Sequence, residues 1–210
     1  MFEIKDLKYK EILNIPSLTL DKDVSCIVGA SGAGKSTLLR MLNQLLEPDF
    51  GTICYNGEML ASIPPVQLRR KVSMLGQTPI LHGGTLAEEL QLPANLCGYD
   101  PPGSDEMYKA LETVRLDKPL NDWCDNFSGG EKQRVCLARL LLTKAETYLL
   151  DEPTAALDEE TELDIFESLL QAAQRNGKTI VLVTHSVQIA QLLSDSIVCI
   201  EDGYTRGYEL

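Results

Sequence analysis

The segment that decides the fold runs from Val24 to Leu46 and reads VSCIVGASGAGKSTLLRMLNQLL. Its first part, Val24–Val28, is a short apolar run typical of a strand that is buried on both faces. Its last part, Ser36–Leu46, has apolar residues at helical spacing and predicts a helix. Between them, Gly29–Ser36 fits the pattern G-x-x-x-x-G-K-[ST], whose glycines let backbone N–H groups surround phosphate oxygens. The sequence therefore predicts a strand, a phosphate-binding loop and a helix in succession.

The loop supplies a complete set of groups for binding a nucleotide. Lys35 is expected to reach the β- and γ-phosphates, and the Ser36 hydroxyl to ligate Mg²⁺. The N-terminus of the following helix adds a dipole that favours anions. The alternative, a glycine turn with an unrelated lysine, does not account for the strand before the loop and the helix after it. The predicted nucleotide contacts here are Gly29, Ser31, Gly32, Ala33, Gly34, Lys35, Ser36 and Thr37.

Two carboxylates follow a second apolar strand, predicted over Thr147–Leu150. An aspartate at the end of a strand beside a phosphate loop holds the Mg²⁺ shell, which assigns Asp151 to the metal. The next carboxylate, Glu152, is placed to orient or deprotonate an attacking water. A solvated acidic loop is the alternative, since the chain is rich in acids. Together with the phosphate loop, the pair indicates a magnesium-dependent nucleotide hydrolase.

A second glycine-rich helix start lies in the segment Phe127–Arg134, which reads FSGGEKQR. Ser128 and Glu131 form the S-x-x-E pattern of a capping box, and capping alone explains part of this segment. Capping does not require Gly129 and Gly130, which leave N–H groups bare at a positive helix end. Because the chain already has one phosphate loop, this second anion site suggests phosphate held by a partner copy.

These motifs, in this order and over essentially the whole chain, resemble those of the ATP-binding cassette (ABC) transporter ATPases. The resemblance implies ATP and Mg²⁺ as ligands and ATP hydrolysis as the activity. It makes Gly29–Thr37 the Walker A loop, Asp151 the Walker B aspartate and Glu152 the catalytic glutamate. Ser128, Gly129, Gly130 and Glu131 correspond to the signature loop, which contacts ATP.

The resemblance also implies roles for four isolated residues. Gln77 matches the Q-loop glutamine, with a part in catalysis and Mg²⁺ binding, and His185 matches the switch histidine, which contacts the γ-phosphate. Asp158 ends the D-loop (156–158), and Tyr9 matches the aromatic residue that stacks on adenine. Taken alone, Gln77 reads as a surface residue, His185 as a structural histidine and Tyr9 as a packing residue of an alternating strand.

The chain departs from the family pattern at the signature and the D-loop. Phe127 stands where the family usually has leucine, and Glu131 where it usually has glutamine. The serine and both glycines remain, so phosphate binding is not put in doubt. Ala155 and Ala156 stand where a serine is common, which is expected to alter signalling between copies slightly.

Strands and helices alternate along the chain, which predicts an α/β fold with a mostly parallel sheet. With the resemblance, the fold class is a P-loop NTPase core with an N-terminal antiparallel β part and an inserted helical subdomain. We expect a single domain, 1–210, whose ATP-binding core comprises 1–80 and 128–210. The segment 81–127 is rich in turn residues, contains two helical patterns and is predicted to be the insertion.

The resemblance implies two kinds of partner. A second copy would dock head to tail, so that each ATP lies between Lys35 of one copy and Ser128 of the other. A separate membrane-spanning permease would dock at the Gln77–Trp123 region. Gln77-Thr78-Pro79 and Gly84-Thr85-Leu86 are also similar to small bacterial cassette subunits of iron or metal export.

Composition bears on location and on competing functions. No apolar run approaches the ~20 residues that span a bilayer, and the first residues lack a signal-peptide pattern. The chain is therefore not expected to cross a membrane, and the resemblance to transporter ATPases implies a peripheral position at the cytoplasmic face of the membrane. The net charge of −12 disfavours a DNA- or ribosome-associated ATPase. A cassette that powers a non-transport membrane complex stays open. The six cysteines form no Cys-x-x-Cys pair, which disfavours zinc.

Overall fold

The computed structural model describes residues 1–154 and 159–207, with the side chains of all of these except 159, 160, 206 and 207. The strands are β1 (Phe2–Tyr9), β2 (Leu13–Leu20), β3 (Val24–Val28), β4 (Phe50–Tyr55), β5 (Glu58–Met59), β6 (Val72–Leu75), β7 (Thr147–Asp151), β8 (Thr179–Val183), β9 (Ser196–Glu201) and β10 (Tyr204–Gly207). The helices are α1 (Lys35–Leu42), α2 (Pro65–Lys71), α3 (Leu86–Cys97), α4 (Ser104–Thr113), α5 (Gly129–Leu141), α6 (Glu159–Arg175) and α7 (Val187–Leu193). None of the described helices is both long enough and apolar enough to span a bilayer.

The first compact unit comprises Met1–Met74, Ala145–Glu152 and Lys178–Leu210. An antiparallel sheet in it has the order β2-β1-β4-β5. A six-stranded sheet has the order β10-β9-β3-β8-β7-β6, in which β9, β3, β8 and β7 run parallel and β10 is antiparallel to β9. The predicted α/β fold, with a mostly parallel sheet and a separate antiparallel part, is confirmed.

One hydrophobic core joins the two sheets of this unit to α1. Leu38, Leu39 and Leu42 of α1 are fully buried in it, together with Leu149 of β7 and Val183 of β8. Burial of an aliphatic side chain of this size contributes about 1.5–3 kcal/mol to the free energy of folding. The core therefore fixes α1, and with it the loop before α1, against the carboxyl ends of the parallel strands.

The second compact unit comprises Leu75–Lys144 and Pro153–Gly177. It is helical, with α5 packed against α3, α4 and α6. Thr85 and Ser128 each cap a helix through a capping box, which starts α3 and α5 at defined residues. The proposed boundaries of the inserted subdomain, 81–127, stay a prediction.

Several element ends differ from the sequence-based expectation for local reasons. The helix expected over Ser36–Leu46 ends at Leu42 because Gln44 adopts a left-handed φ of 55°, and the N–H of Leu45 turns back to the Arg40 carbonyl. The first of the two helical patterns expected within 81–127 forms α3, which continues to Cys97 with Pro93 inside it because Leu90 and Ala94 are buried on its packed face. Gly98 then ends α3 in a left-handed conformation.

The elements that were not predicted include β2, α7 and β10. β2 contains Pro16, which argues against a strand, yet β2 lies at the edge of its sheet, where proline is tolerated. α7 has only seven residues, too few for a periodic pattern. β10 follows the turn Asp202-Gly203, both with positive φ, and Asp-Gly is a hairpin signal that the sequence analysis did not use.

Candidate functional site

The loop between β3 and α1 has a shape that only glycine permits at two positions. Gly29 has φ 148°, and a Cβ there would collide with the Ile200 carbonyl oxygen of β9. Gly34 has φ 100°, and a Cβ there would lie 2.6 Å from Cδ2 of the buried Leu13. The loop is therefore held closely between the end of β9 and the start of β2. Neighbouring Ser31 and Gly32 are exposed, which leaves the outer face of the loop accessible.

Lys35 is folded back over this loop. Its ammonium donates hydrogen bonds to the carbonyl oxygens of Gly29 at 2.8 Å and Ala30 at 2.9 Å, and the residue is only 5% exposed. Gly34 precedes α1 and has no side chain that could cap the first turn. Positive charge and uncapped helical N–H groups thus coincide, as expected for a phosphate-binding loop.

Ser36 and Asp151 bring the loop and the end of β7 together. The Ser36 hydroxyl donates to Oδ1 of Asp151 at 2.8 Å. Asp151 is buried, and this burial raises the pKa of its carboxyl group above the usual 3.8, while the hydrogen bond from Ser36 acts in the opposite direction. A buried carboxylate beside a hydroxyl oxygen offers the hard oxygen ligands that Mg²⁺ prefers, so these residues fit that ion.

Glu152 and His185 lie together at the same edge of the sheet. Oε2 of Glu152 is 3.9 Å from Nδ1 of His185, whose side chain is 70% exposed. Glu152 has a left-handed φ of 46°, and its N–H donates to the Val183 carbonyl. Such strained backbone in a residue other than glycine is concentrated at functional sites. The hydroxyl of Thr184 accepts a hydrogen bond from the N–H of Ser186 and thereby shapes the turn that carries His185.

Tyr9 ends β1, four residues before Leu13, which contacts the loop. Its ring is partly buried against the core of the first unit, and Nζ of Lys10 lies 5.0 Å from the ring centroid. Packing is therefore one role of this ring. Stacking on adenine stays a prediction.

The signature segment, in the second unit, forms a capping box at the start of α5. The Ser128 hydroxyl accepts from the N–H of Glu131 at 3.2 Å, and the N–H of Ser128 donates to Oε2 of Glu131 at 2.8 Å. The backbone bond from Ser128 and the bond from Lys118 lower the pKa of Glu131 to about 2. Ser128 and Gly129 are exposed, and a Cβ on Gly129 would meet nothing within 4 Å. The helix start is thus open to a ligand.

Gln77 and Asp158 complete the set of predicted site residues. Gln77 is exposed and lies two residues beyond the end of β6. Asp158, with the rest of the D-loop segment 156–158, lies outside the described residues.

Sequence reasoning missed two sets of buried contacts in the second unit. Gln133 on α5 is 1% exposed and donates to the carbonyl of Pro153, the residue that follows Glu152. Glu89 on α3 is also 1% exposed and pairs with Arg139 at 2.6 Å, while Arg139 donates to the Ile80 carbonyl at 2.8 Å. These partners are far apart in sequence, and no local pattern signals them.

Comparison with known proteins decides the family. The family described as ABC transporter matches residues 13–155, which include both the phosphate loop and the carboxylates. The chain belongs to the ABC transporter family. As an ABC transporter ATPase, it shares 38% identity over 178 residues with ABC transporter I family member 17 of Arabidopsis thaliana, covering 84% of this chain and 67% of that protein.

A second relative of this ABC transporter ATPase is the methionine import ATP-binding protein MetN of Staphylococcus haemolyticus. It is 35% identical over 204 residues, covering 93% of this chain and 60% of that protein. The chain thus spans about two thirds or less of the length of these curated relatives. Among solved structures, an ABC transporter ATP-binding protein from Pyrococcus furiosus superposes with a TM-score of 0.82 at 28% identity, covering 95% of this chain and 96% of that one.

Proposed function

We propose that this ABC transporter ATPase hydrolyses Mg-ATP between two copies docked head to tail and so drives a separate membrane-spanning permease. The observation that carries the proposal is the hydrogen bond between Ser36 and Asp151. It brings the phosphate loop and the strand-end carboxylate to one point. That pairing is what a magnesium-dependent nucleotide hydrolase requires.

The loop from Gly29 to Thr37 would bind the phosphates. Lys35 would exchange its bonds to the Gly29 and Ala30 carbonyls for bonds to the β- and γ-phosphate oxygens. Ser36 and Asp151 would hold Mg²⁺, with Gln77 as a further ligand. When bound, this ion neutralises charge on the β- and γ-phosphates.

Glu152 would position the attacking water. In the reaction the water oxygen forms a bond to the γ-phosphorus, the bond between that phosphorus and the bridging oxygen breaks, and ADP takes up the electron pair. Glu152 would accept the water proton, and His185, whose Nδ1 lies 3.9 Å from Oε2 of Glu152, would contact the γ-phosphate. Phosphate and ADP are the products.

A second copy would complete each site. The exposed start of α5, with Ser128, Gly129 and Gly130, would face the γ-phosphate held by the partner's loop. These donors are fixed before ATP arrives because the capping box holds Ser128 in place. Preorganised donors of this kind stabilise developing charge without further reorganisation. Asp158 would contact the other copy from the D-loop.

The permease would bind the second unit, in the Gln77–Trp123 region. That unit exposes large apolar side chains in this stretch, with Ile80 65%, Leu96 71% and Trp123 59% exposed. Exposed apolar surface is typical of a protein–protein contact. The methionine import relative supports a transport role. We propose a peripheral position at the cytoplasmic face of the membrane. The likeness of the 77–86 segment to iron or metal export subunits remains a separate prediction.

Turnover of a Glu152→Gln variant tests the catalytic assignment. Loss of the proton acceptor should lower the ATPase rate roughly 10²–10⁴-fold while ATP still binds. Glu58→Gln, an exposed carboxylate on β5, removes the same charge away from the site and should keep the full rate. Full activity of Glu152→Gln would contradict the role of this residue.

Capture from solubilised membranes tests the permease. The Glu152→Gln chain with Mg-ATP is the bait, and the same chain without nucleotide is the control. The expected result is recovery of a multi-span membrane protein only when Mg-ATP is present. Mixed with the unsubstituted chain, that protein should change its rate of ATP hydrolysis. Recovery of only soluble protein or nucleic acid, from well-extracted membranes, would overturn the transporter assignment.

A further inference from the structure

The signature segment of this chain carries a negative charge next to its anion site. Glu131 is the third residue after Ser128, and its carboxylate, like that of an ordinary glutamate, is ionised at neutral pH; hydrogen bonds lower its pKa further, to about 2. A carboxylate at this position repels an incoming phosphate. Something in the chain has to offset that charge if the start of α5 is to bind ATP.

Lys118 supplies the opposite charge. Its Nζ lies 2.9 Å from Oε1 of Glu131, while Oε2 of the same carboxylate accepts from the N–H of Ser128. Both oxygens are therefore engaged, one by the capping box and the other by the lysine. This leaves the carboxylate turned toward its own chain.

A second contact fixes the ammonium of Lys118 from another side. Nζ lies 5.2 Å from the centroid of the Phe127 ring, within the range of a cation–π interaction. Phe127 and Glu131 flank Ser128, so the lysine contacts the signature segment on both sides of its serine. The two departures from the family pattern, at 127 and 131, thus share a single partner.

The backbone around Lys118 is anchored, so its reach is defined. On one side, the N–H of Leu116 donates to the Leu111 carbonyl at the end of α4. On the other, the Leu120 carbonyl accepts from the N–H of Ala87 at the start of α3, and the N–H of Asp122 donates to the Pro119 carbonyl. The ammonium is therefore presented to Glu131 by a loop that is tied down at both ends.

The Lys118–Glu131 pair is expected to contribute little to the free energy of folding. The two side chains are 33% and 21% exposed, and ion pairs this accessible contribute little to stability. The other charges that act on Lys118 are Asp122, which attracts its ammonium, and Arg134, which repels it. Neither forms a hydrogen bond with Glu131 among the described contacts. The main effect of the Lys118–Glu131 pair is therefore on the charge at the start of α5.

We propose that Lys118 is a positioning residue for the signature segment: by pairing with Glu131 and resting on Phe127, it offsets the carboxylate and holds Ser128 ready for the partner's ATP. This inference rests on the proposed head-to-tail ATP site. It adds a residue to that site which no motif contains. It also makes a specific prediction: ATP-dependent dimerisation requires Lys118 only while residue 131 is acidic.

A double-mutant cycle at positions 118 and 131 tests this prediction. The readout is the ATP concentration that half-saturates dimerisation, followed by light scattering in a Glu152→Gln background. Lys118→Met should raise that concentration roughly tenfold, as expected when one close charge pair at a phosphate site is lost. Lys118→Arg should stay within about twofold, because the guanidinium keeps the charge and the ring contact. Lys109→Met, which removes an exposed charge from α4, is the control and should have no effect.

The decisive comparison uses Glu131→Gln. In that background Lys118→Met should change the half-saturating ATP concentration less than twofold, since there is no carboxylate to offset. Equal losses in both backgrounds, or no loss in either, would overturn the inference while leaving the proposed function intact. If the parent chain itself fails to dimerise with ATP, the proposed function fails and the inference falls with it. Thermal melts of each variant show whether a change in the half-saturating ATP concentration is caused by unfolding. The charge-conserving variant Lys118→Arg keeps the inference testable even if Lys118→Met does not fold.

Discussion

Ser36 and Asp151, which are 115 positions apart in sequence, are joined by a hydrogen bond of 2.8 Å between hydroxyl and carboxylate. Ser36 lies in the first turn of α1, directly after the phosphate loop, and Asp151 is the last residue of β7. Their contact follows from the parallel order β3-β8-β7, which puts the carboxyl ends of these strands at one edge of the sheet. The central part of the proposed ATP site therefore follows from the strand order.

Replacing Ser36 tests its proposed role at the metal. Ser36→Ala should weaken Mg-ATP binding roughly 10- to 100-fold, as expected for a lost bond to a charged group. Binding of ATP in EDTA should change little, and Ser36→Thr, which keeps the hydroxyl, should retain most of the affinity. Isothermal titration with and without Mg²⁺ measures both. An equal loss under both conditions would show that Ser36 serves the loop and not the ion.

Asp151→Asn tests the electrostatic cost of the buried carboxylate. Burial raises the pKa of Asp151, so the folded state binds its proton more tightly than the unfolded state does. This group thus costs stability as pH rises above its ordinary value of 3.8, and the full cost is reached above the raised pKa. Without ligand, Asp151→Asn should melt at a higher temperature than the parent at pH 8, and the difference should narrow as the pH falls through the raised pKa of Asp151. A variant that melts lower at pH 8 would contradict this assignment.

Arg139→Met tests the buried pair on α5. It leaves the 1% exposed Glu89 without its 2.6 Å partner, and an unpaired buried charge costs about 3–5 kcal/mol. Urea unfolding should show this loss, and adding Glu89→Leu should recover much of it. Arg175→Met, on the exposed surface of α6, is the control and should shift stability by about 0.5 kcal/mol or less. Equal effects of the two arginine substitutions would contradict the role of the pair.

Gly34→Ala tests the conformation of the phosphate loop. Alanine disfavours φ 100°, and its Cβ would press on Leu13, so we expect a loss of about 1–3 kcal/mol and weaker ATP binding. Leu13 can shift only slightly because it is buried. Gly76→Ala, at a position without positive φ and with open space, should be nearly neutral. Thermal unfolding compares the two, and an unchanged Gly34→Ala melt would contradict the strain argument.

Elements with a strong periodic pattern were predicted well from the sequence. The strand Val24–Val28 has the expected bounds, because a continuous apolar run that is buried throughout leaves little choice for the ends of the strand. The elements that sequence reasoning missed depend on tertiary context. β2 accepts Pro16 only because it is an edge strand. The end of the predicted helix α3 was missed for a similar reason, since its packed face lets it continue through Pro93.

In the candidate site, too, some residues could be predicted from the sequence and others could not. Lys35, Ser36, Asp151 and Glu152 could be named because each belongs to a local motif with fixed spacing. Lys118 could not, since its contact with Glu131 bridges a loop and a helix with no repeating pattern between them. Residues in local motifs can therefore be predicted from the sequence, whereas the side chains that orient them depend on tertiary contacts.

The measurement that tests the central claim most directly is the mass of the Glu152→Gln chain in solution, by light scattering, with and without Mg-ATP. We expect 23.2 kDa without nucleotide and twice that mass with Mg-ATP, because ATP that is not hydrolysed holds two copies together. Adding Ser128→Arg should return the mass to that of one chain while ATP still binds. A chain that stays monomeric with saturating Mg-ATP, or a Ser128→Arg variant that still dimerises, would contradict the head-to-tail site.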